Sequence, residues 1–336
     1  MEYRRAKKEE IPDVMQFIEK YWKKDHILAM DREFFDWMYV DEDKVNFYIA
    51  IEDGKIYGIN GIIIYNSQDN PSISGALWKV IKCGNPMLGL ELAEAIWEEI
   101  HNECAYGIGL NVKTAVRIAK LNGDEVGKMK HFYRLGDKKD YQIAVVNNKI
   151  IPKVQKGSCQ LILLSENEFS NKVKDSILRM NRPYKDKKYL IHRYFNHPIY
   201  KYQVYGIQRP DGSMESFLVG RKVEYNHSRI LKLVDFIGYE EDLCQTGYAL
   251  EKLIEENDYE YVDMYCTGLE KKTFEQMGFI YRDEKDENII PNYFEPFEQK
   301  NVDIYYGAPD LKGIKMFRGD GDQDRPSYSR KMKGEL

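Results

Sequence analysis

Residues 75–111, GALWKVIKCGNPMLGLELAEAIWEEIHNECAYGIGLN, change periodicity twice. GALWKVIKC (75–83) is apolar and rich in β-forming residues, which predicts a strand. Gly84, Asn85 and Pro86 break it. Leu88, Leu92, Ala95, Ile96 and Trp97 then recur at helical spacing, and AYGIGLN (105–111) returns to extended character. The order is strand, turn, helix, strand, with a glycine-bearing turn at the helix N-terminus. Free backbone N–H groups at such a turn suit a phosphate.

The chain around this unit has 336 residues, enough for two domains that each bury a core. With 43% hydrophobic and 31% charged residues it reads as a soluble globular protein. No apolar run approaches the ~20 residues that span a bilayer. The N-terminal MEYRRAKKEEIPDVM lacks the apolar core of a secretory signal, so the expected compartment is the cytoplasm. A formal charge of −5 gives no global basic field for nucleic acid. The five cysteines (Cys83, Cys104, Cys159, Cys244, Cys266) are scattered without CxxC spacing. They read as buried free thiols, with neither a zinc site nor a disulfide framework expected.

Upstream of residue 75, Tyr3–Ala6 predicts a short strand, and Ile11, Val14, Met15, Ile18, Tyr21 and Trp22 mark one helical face. Asp31 is placed to cap a helix carrying Phe34, Phe35, Trp37 and Met38. VNFYIAIEDGKIYGINGIIIY (45–65) predicts a hairpin turning at Asp53–Gly54. Downstream, VKTAVRIAKLNG (112–123) predicts a helix and MKHFYRL (129–135) a strand. The polar connection 136–156, with YQIAVV as a further strand, marks a boundary. The same order then recurs: a helical segment, a hairpin turning at Pro210–Gly212, strand, loop, helix, strand, a helix ending at Gly278, and a last strand in NVDIYYG. The run KDKK (185–188) reads as a solvated loop. Domains are expected at 1–150 and 157–308, with a tail, 309–336, over the cleft.

Both repeats resemble the GNAT superfamily of acyltransferases, which move acyl groups from coenzyme A to amines. The segments that carry the resemblance are HIL with FFDW, NP-MLG-L, GLN at 109–111, KTFEQMGF at 272–279 and the closing GDGDQDRP. Of the family's usual pyrophosphate loop only Gly89 is kept, with Gly84 and Met87 in place of its polar residue and first glycine. Ala119 and Phe274 stand where the family often has a thiolate-protonating tyrosine. The set is similar to two-repeat bacterial N-acyltransferases acting on dTDP-linked 3-amino-3,6-dideoxyhexoses for surface polysaccharide such as O-antigen lipopolysaccharide. The resemblance implies an α/β (α+β) fold of tandem GNAT-like domains, each a mixed, mostly antiparallel twisted sheet flanked by helices. It implies acyl-CoA as co-substrate (acetyl-CoA or a larger one such as hydroxybutyryl-CoA) and direct transfer to a nucleotide-linked amino sugar.

Amide formation from a thioester needs a neutral amine, a polarised carbonyl and a thiolate exit. His26, with Asp25 beside it, is the expected base, since free histidine titrates near ~6.5; His131 is a second candidate. A backbone N–H of Lys79 or Val80 would polarise the carbonyl. Val80, Lys82, Gly84, Met87, Leu88, Gly89, Leu90 and Asn111 are the expected coenzyme contacts. In the second repeat Glu240, Glu241 and Asp242 occupy the corresponding loop and would repel a pyrophosphate. Asp320, Asp322 and Asp324 alternate as in a calcium loop, but Arg325 replaces its glycine and Lys331 its final glutamate, so no metal is expected. Arg318 and Arg325 could instead grip a diphosphate and the aspartates bond the sugar or its amine, with Trp37 stacking on the acceptor. Two other readings stay open. One is a FemAB-like aminoacyl transferase, disfavoured by the acidic charge; the other is a non-catalytic CoA- or nucleotide-sugar-binding protein. Oligomerisation is left open.

Overall fold

A computed structural model describes residues 1–154 and 157–328. The first half runs β1 (Glu2–Arg5), α1 (Ile11–Tyr21), α2 (Ile27–Met30), α3 (Arg32–Tyr39), β2 (Phe47–Glu52), β3 (Lys55–Ile64), β4 (Ser72–Val80), α4 (Leu88–Glu99), β5 (Cys104–Ile108), α5 (Ala115–Leu121), β6 (Glu125–Lys128) and β7 (Lys130–Leu135). Local chemistry sets these boundaries. Asp31 caps α3 by accepting the Phe34 amide at 3.0 Å. The β2–β3 turn has Asp53 and Gly54 at φ 50° and 73°, the left-handed pair a tight hairpin needs.

The second half runs β8 (Gln160–Leu163), α6 (Glu166–Lys172), α7 (Asp175–Leu178), α8 (Lys187–Tyr194), β9 (Tyr202–Gln208), β10 (Met214–Tyr225), β11 (Ser228–Ile237), α9 (Glu240–Cys244), α10 (Gly247–Asn257), β12 (Tyr261–Thr267), α11 (Lys271–Gln276), β13 (Ile280–Tyr281), β14 (Tyr305–Ala308) and β15 (Met316–Phe317). YQIAVV forms no strand. The Gln142, Ile143 and Ala144 amides all converge on the buried Glu260 carboxylate at 2.7–2.8 Å, which curls the segment where a strand would alternate its amides. Only an isolated bridge, Val145 to Ile289, remains.

The strands form two large sheets, in the orders β1-β2-β3-β4-β5-β14-β6 and β8-β9-β10-β11-β12-β7-β13, with β15 on β12. The halves exchange strands. β7 lies antiparallel on β12 (Tyr265 opposite His131), and β14 lies between β5 and β6 (Tyr306 opposite Ile108 and Gly127). Sheet membership therefore crosses the expected boundary near residue 150. One face of the first sheet packs Leu77 and Tyr106 against Val14, Phe17, Phe35 and Tyr39 of α1 and α3. The other packs Tyr48 and Ile62 against Leu88, Leu92 and Ile96 of α4.

At the centre of each sheet one parallel pair separates part-way. β4 pairs with β5 from Ser72–Cys104 to Gly75–Gly107, then continues alone on that side to Val80. β11 pairs with β12 only over Leu231–Leu233, then continues to Ile237. A register shift marks each departure. Asn60 and Ile62 of β3 face Trp78 and Gly75, while Val219 and Gly220 of β10 face Asp235 and Leu233. A bulge of this kind increases local twist and turns a strand away from its neighbour.

The second wedge is filled by the chain itself. β15 pairs with Cys266 and Thr267, the Arg318 amide donates to Tyr265 O at 3.2 Å, and the Gly319 amide donates across the gap to Val234 O at 2.7 Å. The strap continuing to Tyr328 is bolted down by charge. Lys185 donates to both Asp235 oxygens at 2.6 Å and to Asp320 at 2.9 Å, so this lysine is 1% exposed and not in a solvated loop. Burial, with Asp235 alongside, pushes the Asp320 carboxyl up to about 6 against the pull of Lys185. Arg221 grips Asp324 with two bonds of 2.9 and 2.7 Å, and Tyr202 Oη adds a third at 2.9 Å. Residues 329–336 of the expected tail lie outside the described residues.

Removing one member of a buried pair leaves the other charged and unpaired. Asp324→Ala should therefore lower unfolding stability by about 3–5 kcal/mol, read by urea denaturation. A loss below about 1 kcal/mol, the range of exposed pairs, would show that Arg221 does not need this partner.

Candidate functional site

The first wedge has no strap in it. Among the described residues, no backbone hydrogen bond from a loop reaches Ala76–Val80. Ile81 donates to Tyr57 O of β3 at 2.8 Å, which fixes the alternation, so the Trp78 and Val80 amides face the wedge. Gly75 and Gly109, on the two diverging strands' sides, are exposed, and Trp78, Lys79 and Val80 are half-buried. Gly75, with nothing nearer than 4.0 Å where a Cβ would sit, leaves backbone open to close approach by a ligand, while the space at Gly109 is taken by Gln323.

The turn after β4 delivers α4 to the same end of the sheet. Gly84 takes φ 87°, and Asn85 accepts the Met87 amide at 2.9 Å while donating to Glu91 at 2.7 Å. No side chain caps α4, and the Leu88 and Gly89 amides have no protein acceptor among the described residues. A Cβ at Gly89 would sit 3.4 Å from the Trp78 ring, in ordinary van der Waals contact, so the helix start lies directly against β4. An elongated ligand with an anionic end therefore finds polar backbone in the wedge and two free amides at the positive end of α4. Glu91 in the first turn is held by Tyr3 Oη and Asn85. Lys82 and Met87 are exposed beside the turn, Leu88 is buried and Leu90 half-buried.

No family model matches the sequence, and no curated protein matches it. In fold, the chain is similar to a GCN5-related N-acetyltransferase from Anabaena variabilis ATCC 29413, with TM-score 0.58, 11% identity, 93% of this chain and 74% of that one covered. It is also similar to a conserved protein of unknown function from Enterococcus faecalis V583 described as a probable N-acyltransferase, with TM-score 0.59, 8% identity, 91% and 72% covered. The fold is GNAT-like, in tandem. At these identities the likeness is one of architecture, and residue roles rest on the geometry here.

His26 is the N-cap of α2 and 5% exposed; its Nδ1 accepts the Leu28 amide at 3.3 Å. In the neutral ring the proton then sits on Nε2, which is buried without a partner. Burial, reinforced by Arg325 and Lys23, lowers its pKa to about 3. Burial thus holds this ring neutral with an N–H at Nε2, which suits a hydrogen-bond donor better than the expected base. Asp25 does not support it: its side chain is exposed, its φ is 56°, and its amide donates to Glu19 at 2.8 Å. His131 lies in the second sheet, bonded to Asp263 at 3.1 Å and to Arg282 at 3.0 Å, with burial lowering it to about 4.

Asn111 is exposed after β5 and accepts the Lys113 amide at 2.9 Å, so it opens the turn into α5. Trp37 stacks on His192 at 5.0 Å and its carbonyl accepts His192 Nε2 at 2.9 Å, joining α3 to α8. Arg318 is 4% exposed and donates to Asn292 at 2.5 Å, with Asp324 3.5 Å from its Nε. Arg318, Asp320 and Asp324 are thus held by internal partners, as parts of the strap's anchorage. Asp322 pairs with Arg325; both act electrostatically on Tyr39, and Arg325 acts also on His26. Sequence reasoning missed Gln323, which donates to Ile108 O at 3.3 Å where β5 ends. A single glutamine among aspartates carries no pattern; only the strap's course reveals it.

The neutral-ring assignment predicts an NMR titration in which His26 stays neutral, with Nδ1 unprotonated, down to about pH 4, below the ~6.5 of free histidine. The unfolded chain binds the extra proton first, so this site favours folding less as pH falls from 6.5 toward 3. A folded-state midpoint near 6.5 would return His26 to the role of base.

Proposed function

We propose that the chain is an acyl-CoA-dependent N-acyltransferase, with acyl-CoA in the first repeat. One observation carries this reading. In the second wedge the turn that follows β15 lies between the parted strands and gives its Gly319 amide to the bulge carbonyl of Val234. The first wedge presents the same bulge and the same unpaired strand edge, with no chain in it among the described residues. The amide-containing pantetheine arm of coenzyme A has the shape and hydrogen-bonding pattern to take that place. Its pyrophosphate would meet the Leu88 and Gly89 amides, with Gly84 shaping the turn and Lys82 adding a nearby positive charge. In the second repeat the corresponding turn is acidic and tied down: Asp242 holds Arg209 at 2.6 Å and Glu240 accepts Thr273 Oγ1 at 2.5 Å.

The chemistry asked of the protein is modest. The neutral amine attacks the thioester carbon, and the Val80 or Trp78 amide stabilises the developing oxyanion. Collapse breaks the C–S bond, releasing coenzyme A thiolate as the amide forms, and the ammonium proton passes to solvent and then to the thiolate. No covalent enzyme intermediate is required. For the acceptor we carry forward a nucleotide-linked amino sugar of the dTDP-3-amino-3,6-dideoxyhexose type, supported by the resemblance of the quoted segments. A second reading, binding without turnover, is favoured by Ala119 and by Phe274, which is buried against Phe132 at a 3.8 Å centroid distance and offers no acid.

Calorimetry with free coenzyme A should give one site per chain, and Gly89→Asp should weaken binding by about tenfold or more by placing a carboxylate at the α4 start. No binding of coenzyme A would overturn the reading. With acetyl-CoA and the dTDP-linked 3-amino-3,6-dideoxyhexose, thiol release should accompany amide formation. Val80→Pro removes a wedge-facing amide that β3 does not use; it should lower kcat about 10²–10³-fold with coenzyme A still bound. Coenzyme A bound without thiol release across an amine panel would favour the non-catalytic alternative.

A further inference from the structure

The strap does more than close the second wedge. Between Asp320 and Asp324 it crosses the first sheet on the face opposite α4, at the level where β4 and β5 part. The Gly321 amide donates to Tyr65 Oη at 3.0 Å. Its backbone lies so close that a Cβ there would be 3.2 Å from Ser74 Oγ of β4 and 3.7 Å from Ile108 Cβ of β5. Gln323 then spans the end of β5, donating to Ile108 O at 3.3 Å and to Asp322 Oδ1 at 3.2 Å. Gly109, at φ 73°, leaves the space its amide occupies, since a Cβ at that position would collide with the Gln323 side chain.

A thioester delivered through the first wedge from the α4 side would carry its acyl group toward this surface. The surface is backbone and an amide side chain, and it is not free to move aside. Asp320 and Asp324, one residue beyond either end of the crossing, are fixed by Lys185, Arg221 and Tyr202 in bonds of 2.7–2.9 Å. Displacing the strap to admit a long chain would unpair buried charges.

Resting on the acyl-CoA reading, we infer that the strap walls off the acyl end of the first site, with Gln323 as the specificity-determining side chain. The donor is then a short acyl-CoA, acetyl to butyryl, and not a long-chain one. Gln323 acts here by occupying space at the wedge mouth, so its length matters more than its amide. Gln323→Ala shortens the wall, whereas Gln323→Met keeps its reach without the amide.

The test is calorimetry with acetyl-, butyryl- and octanoyl-CoA on the full-length chain, reading the ratio of octanoyl to acetyl Kd. The wild type should bind octanoyl-CoA more weakly than acetyl-CoA by about tenfold or more. Gln323→Ala should bring that ratio within about threefold, and Gln323→Met should keep it near the wild-type value. Wild-type affinity for octanoyl-CoA equal to that for acetyl-CoA would overturn this inference alone, leaving the acyl-CoA reading standing. So would discrimination unchanged in a folded Gln323→Ala protein. Failure of every thioester and of free coenzyme A to bind would overturn both.

Discussion

A parallel strand pair that separates part-way exposes peptide groups in the middle of a sheet, and buried peptide groups need partners. The Gly319 amide on Val234 O, 2.7 Å long, is how this chain meets that need in its second sheet. Much else follows from it. To bring Gly319 to Val234 the strap must pass between the two sheets. Having done so, it emerges across the first sheet just where β4 and β5 separate. The two wedges are related in geometry and opposite in state, one filled by the protein and one open to a ligand. The chain's own backbone thereby displays one hydrogen bond, from an amide to the bulge carbonyl, of the kind a ligand amide could make.

The strap's composition explains how it is held. The stretch is a run of turns with Gly321 at φ 63°, in which Asp320, Asp322 and Asp324 are buried while Gln323 and Arg325 are half-exposed. The buried members meet cations already facing inward. Arg221 and Lys232 are opposite one another on β10 and β11, and Lys232 pairs with Asp263 on β12 at 2.9 Å. Burying so many ions is not an economical route to stability, since desolvation offsets much of the attraction. What such pairs do provide here is position: a strap displaced from this course would part Asp324 from Arg221 and leave that buried cation uncompensated.

The strand–turn–helix–strand unit, the hairpin at Asp53–Gly54 and the duplication of element order were legible in sequence, because each rests on local periodicity or turn chemistry. The exchange of β7 and β14 was not, since strand partners depend on which sheet edge is free, and no residue in HFYRL or IYYG records that. Lys185 was misread for a related reason. In a run of charges it looks solvated, and only the fold brings Asp235 and Asp320 to it from 50 and 135 residues away. His26 shows the converse limit. Its residue type suggested a base, but burial and one backbone hydrogen bond, neither visible in the sequence, favour the neutral ring.

On the proposed acyl-CoA reading, catalysis would rest on backbone more than on side chains. With no tyrosine at positions 119 and 274 and a histidine that burial keeps neutral, the reaction would depend on a nucleophile and leaving group that need little help. An amino-sugar nitrogen is partly unprotonated at neutral pH, and a thiol with pKa near ~8.5 leaves readily as thiolate. The remaining demand is to hold the carbonyl against a donor that needs no reorganisation, and a strand-borne amide such as Val80's is fixed by the sheet itself. The same rigidity bears on the strap. A wall bonded through buried ion pairs can define the end of a pocket as a flexible tail cannot, because displacing it would cost more free energy than a few buried methylenes return.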